Sequence, residues 1–146
     1  MKLIFMGTPE FAVPSLRRLL ADSPNFRAAS EHFLRSYVAV LSQLAGCNRL
    51  HSIYQRSARW LLLAHDRSGR DRIPLTHEYL AMMLGSRRSG VSVALAKLKE
   101  QGAISYGPRY VTILERASLL EATCECYAIG SQHYASVGGG LIASGA

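Results

Sequence analysis

The segment Thr76-His77-Glu78-Tyr79-Leu80-Ala81-Met82-Met83-Leu84-Gly85-Ser86-Arg87-Arg88-Ser89-Gly90-Val91-Ser92-Val93-Ala94-Leu95-Ala96-Lys97-Leu98-Lys99-Glu100-Gln101-Gly102 is punctuated by glycine at two informative places. Thr76 is a natural N-cap for a helix from His77 to Leu84, with Glu78 in the first turn where the helix dipole favours a carboxylate. Gly85 supplies the permissive backbone of a tight turn. Ser86 is expected to cap a second helix over Arg87 to Gln101, with Val91, Ala94, Leu95 and Leu98 inward and Gly102 as its stop. Two short helices joined by a turn of about three to four residues containing Gly form a helix-turn-helix.

On the C-terminal side the period changes from helical to alternating. Ala103 to Tyr106 and Arg109 to Leu114 are β-rich and meet at Gly107-Pro108, which predicts a hairpin, and a hairpin directly after a helix-turn-helix is a wing. A last helix is expected from Glu115 to about Tyr134, with Leu119, Leu120, Cys124 and Tyr127 on its inner face. On the N-terminal side, Ile73-Pro74-Leu75 reads as a short extended piece. Before it, Leu50, Ile53, Tyr54, Ser57, Trp60, Leu61 and Ala64 line one face of a helix whose opposite face carries Gln55, Arg56 and Arg59. Farther back, Phe33, Tyr37, Val40, Leu41 and Leu44 mark another amphipathic helix over residues 26–47, with a hinge at Gly46-Cys47-Asn48. The fold class expected is mainly α with a small β-hairpin wing: a winged helix-turn-helix preceded by a long amphipathic dimerisation helix.

The chain has 146 residues and a net charge of +7, with 49% hydrophobic and 18% charged residues. Enough apolar surface is present for a core, which excludes a chain disordered throughout. Residues 51–116 carry 11 basic and 5 acidic side chains, while residues 117–146 carry no basic and 2 acidic ones. The positive excess therefore coincides with the helix-turn-helix and points to a polyanion. No apolar run approaches the roughly 18–20 residues of a spanning helix, and Lys2 to Met6 is too short for a secretory signal. Three cysteines are an odd number and suit a reducing compartment, so a cytoplasmic, non-membrane protein is expected.

In a helix-turn-helix the second helix lies in the major groove of duplex DNA. At about 100° per residue from Val91, its outer side holds Ser89, Ser92, Val93 and Ala96, with Arg88 and Lys99 at the margin. Arg88 is the candidate for a bidentate contact to guanine, and Ser89 and Ser92 for bonds to bases or phosphates. Arg87, Lys97, Lys99 and the wing residue Arg109 are phosphate candidates. The alternative reading of each is a solvated charge on an amphipathic helix. Two arginines at a helix N-terminus oppose the dipole, and a phosphate placed there would offset that cost.

Cys47-Asn48-Arg49-Leu50-His51-Ser52, Gln55-Arg56-Ser57-Ala58-Arg59-Trp60-Leu61-Leu62, the Leu75-to-Gly85 run, Arg87-Arg88 and Leu98-Lys99-Glu100-Gln101-Gly102-Ala103-Ile104 stand in the order they have in Crp/Fnr-type transcription regulators. Residues from about 26 to 134 resemble the C-terminal half of that family. The resemblance implies a sequence-specific regulator that binds double-stranded DNA as a homodimer, without a cofactor of its own in this half. It places Arg88 at the recognition-helix arginine. Ser89 and Val93 replace an acidic residue and a second arginine of well-known members, so the usual half-site is not expected. Gly90 is a further departure, expected to loosen the helix N-terminus.

Residues 1–20, with Phe5-Met6-Gly7-Thr8-Pro9-Glu10-Phe11-Ala12-Val13-Pro14-Ser15-Leu16, resemble the start of methionyl-tRNA formyltransferase. That likeness covers a first strand at Lys2 to Met6, the turn Gly7-Thr8-Pro9 and a helix from Val13 to Ala21 with Pro14 in its first turn. Nothing matches the catalytic Asn, His and Asp of that family. The organisation expected is a leader over 1–25, a dimerisation-type helix over 26–47, a winged helix-turn-helix over 48–134 and a flexible tail over 135–146. The leader is too short for the family's effector-binding β-roll, so no small-molecule effector site is identified and the reading is a regulator lacking its effector-binding domain. The alternatives are a truncated formyltransferase-like protein and a non-functional interaction fragment.

No catalytic residue is assigned, because His32, His51, His65 and His77 lack an evident carboxylate or nucleophile partner. No metal is assigned either. Cys124-Glu125-Cys126 with His133 invites one, but on regular helix two thiols at i and i+2 point about 200° apart. They are read as structural thiols, as is Cys47, whose alternative is a redox-sensitive thiol. Trp60 is read as core.

Overall fold

The computed structural model describes residues 9–132. In chain order these form helices α1 (Pro9–Asp22), α2 (Pro24–Leu50) and α3 (Ile53–Ser68), strand β1 (Arg72–Pro74), helices α4 (His77–Leu84) and α5 (Arg88–Glu100), strands β2 (Ile104–Gly107) and β3 (Tyr110–Ile113), and helix α6 (Arg116–Ala122). The chain is helical again over 126–132. This is the mainly α winged helix-turn-helix expected. The strand read at Lys2 to Met6, most of the turn after it, His133 and the tail from 135 lie outside the described residues. Among the described residues no helix is long and apolar enough to cross a membrane.

Helix α1 starts at Pro9 rather than Val13, and Pro14 lies inside it. Proline is well placed as a first helical residue, and Glu10 suits the first turn. Ser23 then caps α2: its Oγ accepts from the Phe26 N–H at 3.3 Å, and Pro24 follows in the first turn. The hinge expected at Gly46 does not exist, because α2 continues unbroken to Leu50. One glycine costs a helix interior only about 1 kcal/mol, and Gln43 and Cys47 beside it anchor the helix to the body. The chain turns instead at His51, which is extended, and Ser52 caps α3 in a reciprocal capping box with Gln55. Leu50 therefore ends α2 in solvent rather than beginning the face of α3.

The expected apolar face of α2 is split. Ser36, Val40 and Cys47 point inward, while Phe33, Leu34, Tyr37, Val38 and Leu41 form an outer stripe exposed by 46% to 59%. The main core is built by α3 to α6 and the sheet around Leu61, Leu62, Leu80, Leu95, Leu98, Ile104, Val111 and Leu119. Each such side chain contributes about 1.5–3 kcal/mol when withdrawn from water. Trp60 is half-buried against this core, as expected.

Arg56 and Arg59 are not on a solvent face; both are buried. Arg56 donates to the Leu84 carbonyl, at the negative end of α4, so its charge braces the first helix of the helix-turn-helix from below. Burial holds the Cys47 thiol pKa up at about 12 even though Arg59 is near enough for its charge to pull it down. Amphipathic spacing alone cannot tell a solvated arginine from one whose stem is packed and whose head has found a partner.

Thr76 caps α4 through Tyr79 N–H at 3.1 Å, and Gly85 adopts a left-handed conformation with φ 58°. Ser86 does not cap α5. Its N–H closes the preceding turn on the Ala81 carbonyl at 3.0 Å, the 6→1 bond of a Schellman ending, so Arg87 is left as the N-cap with no side-chain bond. The predicted hairpin forms, and β1 joins it to give an antiparallel sheet in the order β1-β3-β2, with Ile73 opposite Val111. The expected single C-terminal helix is interrupted. Glu115 caps α6, Thr123 is extended, and Leu120 is exposed rather than inward. Beyond the break, Tyr127 donates to Asp66 at 2.7 Å and accepts from Arg116 at 2.7 Å, which lays the next helical stretch across the end of α3.

Candidate nucleic-acid interface

Helix α5 emerges from the body with Val91, Ala94, Leu95 and Leu98 buried and Arg88, Ser89, Val93, Lys97 and Lys99 exposed. Val93, an apolar side chain, is 71% exposed. Gly90 does not loosen the helix, which is regular from Arg88 onward. A Cβ there would lie 2.8 Å from Cδ1 of Ile53, so the glycine lets α5 rest directly on α3.

One flank of α5 faces the wing. His77 Nδ1 is 3.0 Å from Ser92 Oγ, and its ring meets Tyr106 edge-on at 5.0 Å. Lys99 Nζ stands 5.2 Å from the centre of the same Tyr106 ring. Arg88 Nε lies 3.8 Å from Glu78 Oε2, both side chains being largely exposed. Between α4, Arg88 and the wing turn at Gly107 and Pro108 an open groove of about 690 Å³ is left. The opposite flank carries Lys97, whose Nζ is 4.5 Å above the Tyr54 ring, and Tyr54 in turn hydrogen-bonds Gln101. Arg109 is exposed at the wing turn, where its carbonyl accepts from Leu75 N–H at 3.0 Å and ties the turn to the end of β1.

The structure thus brings Arg88, Ser92 and Lys99 to one side of α5 and Lys97 to the other, with Ser89 and Val93 exposed between them. Arg87 and the first N–H groups of α5 form a positive end without a side-chain cap. Ser92 is half-buried, because His77 holds it. Burial lowers the His77 pKa from its ordinary 6.5, and the Arg88 charge lowers it further, so the ring is neutral at neutral pH.

Several participants carry no signal in the sequence. Tyr54 comes from α3, remote along the chain, and Tyr106 from β2, directly after α5; only tertiary packing sets their rings beside Lys97 and Lys99. Two histidines read as lacking a carboxylate have one. His65 Nε2 is 2.9 Å from Asp71, with Arg116 on its other nitrogen, and His51 Nε2 is 3.2 Å from Glu125. The expectation that Cys124 and Cys126 diverge on a helix fails as well, since the break after Ala122 buries both beside Cys47. The spacing Cys47-x-x-x-His51, one helical turn, was the available signal for that cluster.

Residues 55–122 match the Crp-like helix-turn-helix domain family. Among solved structures the chain is similar to a Crp/Fnr-family transcriptional regulator from Eubacterium rectale, with a TM-score of 0.60 and 22% identity over 71% of this chain and 48% of that one. It is similar to a CRP-family transcriptional regulator from Thermus thermophilus, with a TM-score of 0.54 and 28% identity over 61% of this chain and 49% of that one. A CooA mutant from Carboxydothermus hydrogenoformans gives a TM-score of 0.61 and 20% identity over 75% of this chain and 54% of that one. The chain therefore spans about half the length of the solved chains it matches.

Proposed function

We propose, from the match of residues 55–122 to the Crp-like helix-turn-helix domain family, that the protein binds double-stranded DNA sequence-specifically, as a homodimer, and acts in transcription regulation rather than as an enzyme. The observation that carries this reading is the exposed crest of α5 with cations on both flanks and an arginine pair at its uncapped positive end. Small side chains on the crest let the helix backbone approach base edges. Arg88 reads a guanine, Ser89 and Ser92 bond to bases or phosphates, and the exposed Val93 suits the methyl group of a thymine. Arg87, Lys97, Lys99 and Arg109 engage phosphates on either side of the groove and under the wing.

Fluorescence-anisotropy titration on random and selected duplexes tests this. Log affinity is expected to fall linearly with log salt. Arg88→Ala should lose about 1–3 kcal/mol of discrimination at one base position, whereas Lys99→Ala should weaken all duplexes alike and reduce the salt slope by about 1. Absence of duplex binding at low salt would overturn the proposal.

A further inference from the structure

Where the C-terminal end of α2 meets the break behind α6, three thiols and one imidazole converge. The ligand atoms of Cys47, His51, Cys124 and Cys126 all lie within 4.8 Å of one another. Cys47, Cys124 and Cys126 are buried, at 1%, 4% and 1% exposure, and none is in a disulfide. We propose that these four side chains form a tetrahedral site for a zinc-like divalent cation, which fastens the end of α2 to the winged-helix body.

The distances fit that geometry. With zinc bonds of about 2.3 Å to sulfur and about 2.0–2.1 Å to nitrogen, a tetrahedron has edges of about 3.8 Å between sulfurs and about 3.6 Å between sulfur and nitrogen. Cys47 Sγ and Cys124 Sγ are 3.7 Å apart, and Cys126 Sγ and His51 Nδ1 are 3.5 Å apart. A polynuclear iron–sulfur cluster would not fit, because its cysteines bind different irons and are spread by the bridging sulfides.

The surroundings match as well. His51 presents Nδ1 to the thiols while Nε2 is 3.2 Å from the Glu125 carboxylate, the carboxylate–histidine arrangement that orients an imidazole for a metal. Gln43 Nε2 donates to Cys126 Sγ at 3.0 Å, a bond that orients the sulfur from outside the cluster. Three thiolates and a divalent cation leave one net negative charge. Arg59, buried, with its Nε lacking a hydrogen-bond partner, supplies a positive charge felt at Cys47. On binding, each thiol gives its proton to solvent and no electron is transferred. Cys47 and His51 come from adjacent turns at the end of α2, and Cys124 and Cys126 from the α6 break, so the ion crosslinks two parts of the chain remote in sequence.

The site does not depend on DNA binding and is tested by metal alone. The full chain, purified reduced and stripped with chelator, is titrated with Co²⁺ and then Zn²⁺. One equivalent of Co²⁺ should give the intense d–d bands and thiolate charge-transfer absorption of a tetrahedral sulfur-rich site, and Zn²⁺ should abolish them. Cys124→Ser and Cys126→Ser should each weaken binding more than about 100-fold, and Glu125→Gln, which alters only an exposed partner of His51, by about 10–100-fold. Circular dichroism of Glu125→Gln should remain that of the unsubstituted chain. A weak octahedral cobalt spectrum, a stoichiometry well below one, or cysteine variants that bind as the parent does would overturn the site.

Discussion

His77 links the recognition helix to pH. Its ring is half-buried between Ser92 and Tyr106, near the Arg88 charge, and its folded pKa lies below the ordinary 6.5. Well above pH 6.5 neither the folded nor the unfolded chain protonates it, and its contribution to stability is fully present. As pH falls below that value the unfolded state takes up a proton that the folded state refuses, so stability declines until the lower, folded pKa is passed. Thermal melts stepped downward from neutral pH should show that decline, and His77→Asn, which keeps a polar partner for Ser92, should flatten it. An unchanged pH profile in the variant would remove His77 from this role. Arg88 is a neighbouring case of competition: its exposed ion pair with Glu78 is worth at most about 1 kcal/mol, little enough for a DNA acceptor to displace.

At the scale of elements, the angle between α4 and α5 is set by one backbone conformation. Gly85 has φ 58°, and the two bonds that close α4, from Gly85 and Ser86, need it. Gly85→Ala is expected to destabilise the fold by about 1–2 kcal/mol, since no neighbouring atom obstructs the new methyl group and only the left-handed backbone is penalised. A lowered urea midpoint with an unchanged slope is the expected result, and an unaltered midpoint would contradict it. Arg56 works on the same joint from beneath through the Leu84 carbonyl, so turn chemistry and a buried charge act together there. Glycine and cap residues made these joints legible in the sequence: Thr76, Gly85, Gly102 and the Gly107-Pro108 turn fall where the structure uses them. Joints made by packing were not. The helix breaks lie at His51 and Thr123 rather than at Gly46 or nowhere, because the buried contacts of Cys47 and Cys124 and the hydrogen bonds of Tyr127 outweigh a propensity difference of about 1 kcal/mol.

At the scale of the whole molecule, the outer stripe of α2 is left uncovered by the other described residues. Phe33, Leu34, Tyr37, Val38 and Leu41 recur at steps of one and three or four residues and are about half exposed, with Phe33 and Tyr37 stacked at 5.9 Å. In the homodimer proposed above this stripe pairs with its copy, and two recognition helices meet half-sites about 34 Å apart, one turn of duplex. Tyr37→Glu with Leu41→Glu should weaken self-association at least about 100-fold in sedimentation equilibrium, because each withdrawn apolar side chain is worth about 1.5–3 kcal/mol and is counted in both protomers. The winged-helix body should keep its melting transition. Dimers as tight as the parent's would assign the stripe another role.

Local periodicity and turn chemistry by themselves determined the winged helix-turn-helix, the inward and outward faces of α5 and the concentration of positive charge around it. These are near-neighbour properties: a helix face repeats every three or four residues, and a turn needs its glycine in place. Only the tertiary structure decided which flank Lys97 and Lys99 take, that Arg56 and Arg59 are buried, that β1 completes a sheet, and that Cys47 and His51 meet Cys124 and Cys126. Most of those contacts join residues dozens of positions apart. Their energy comes from burial and charge pairing between elements, which no local pattern encodes.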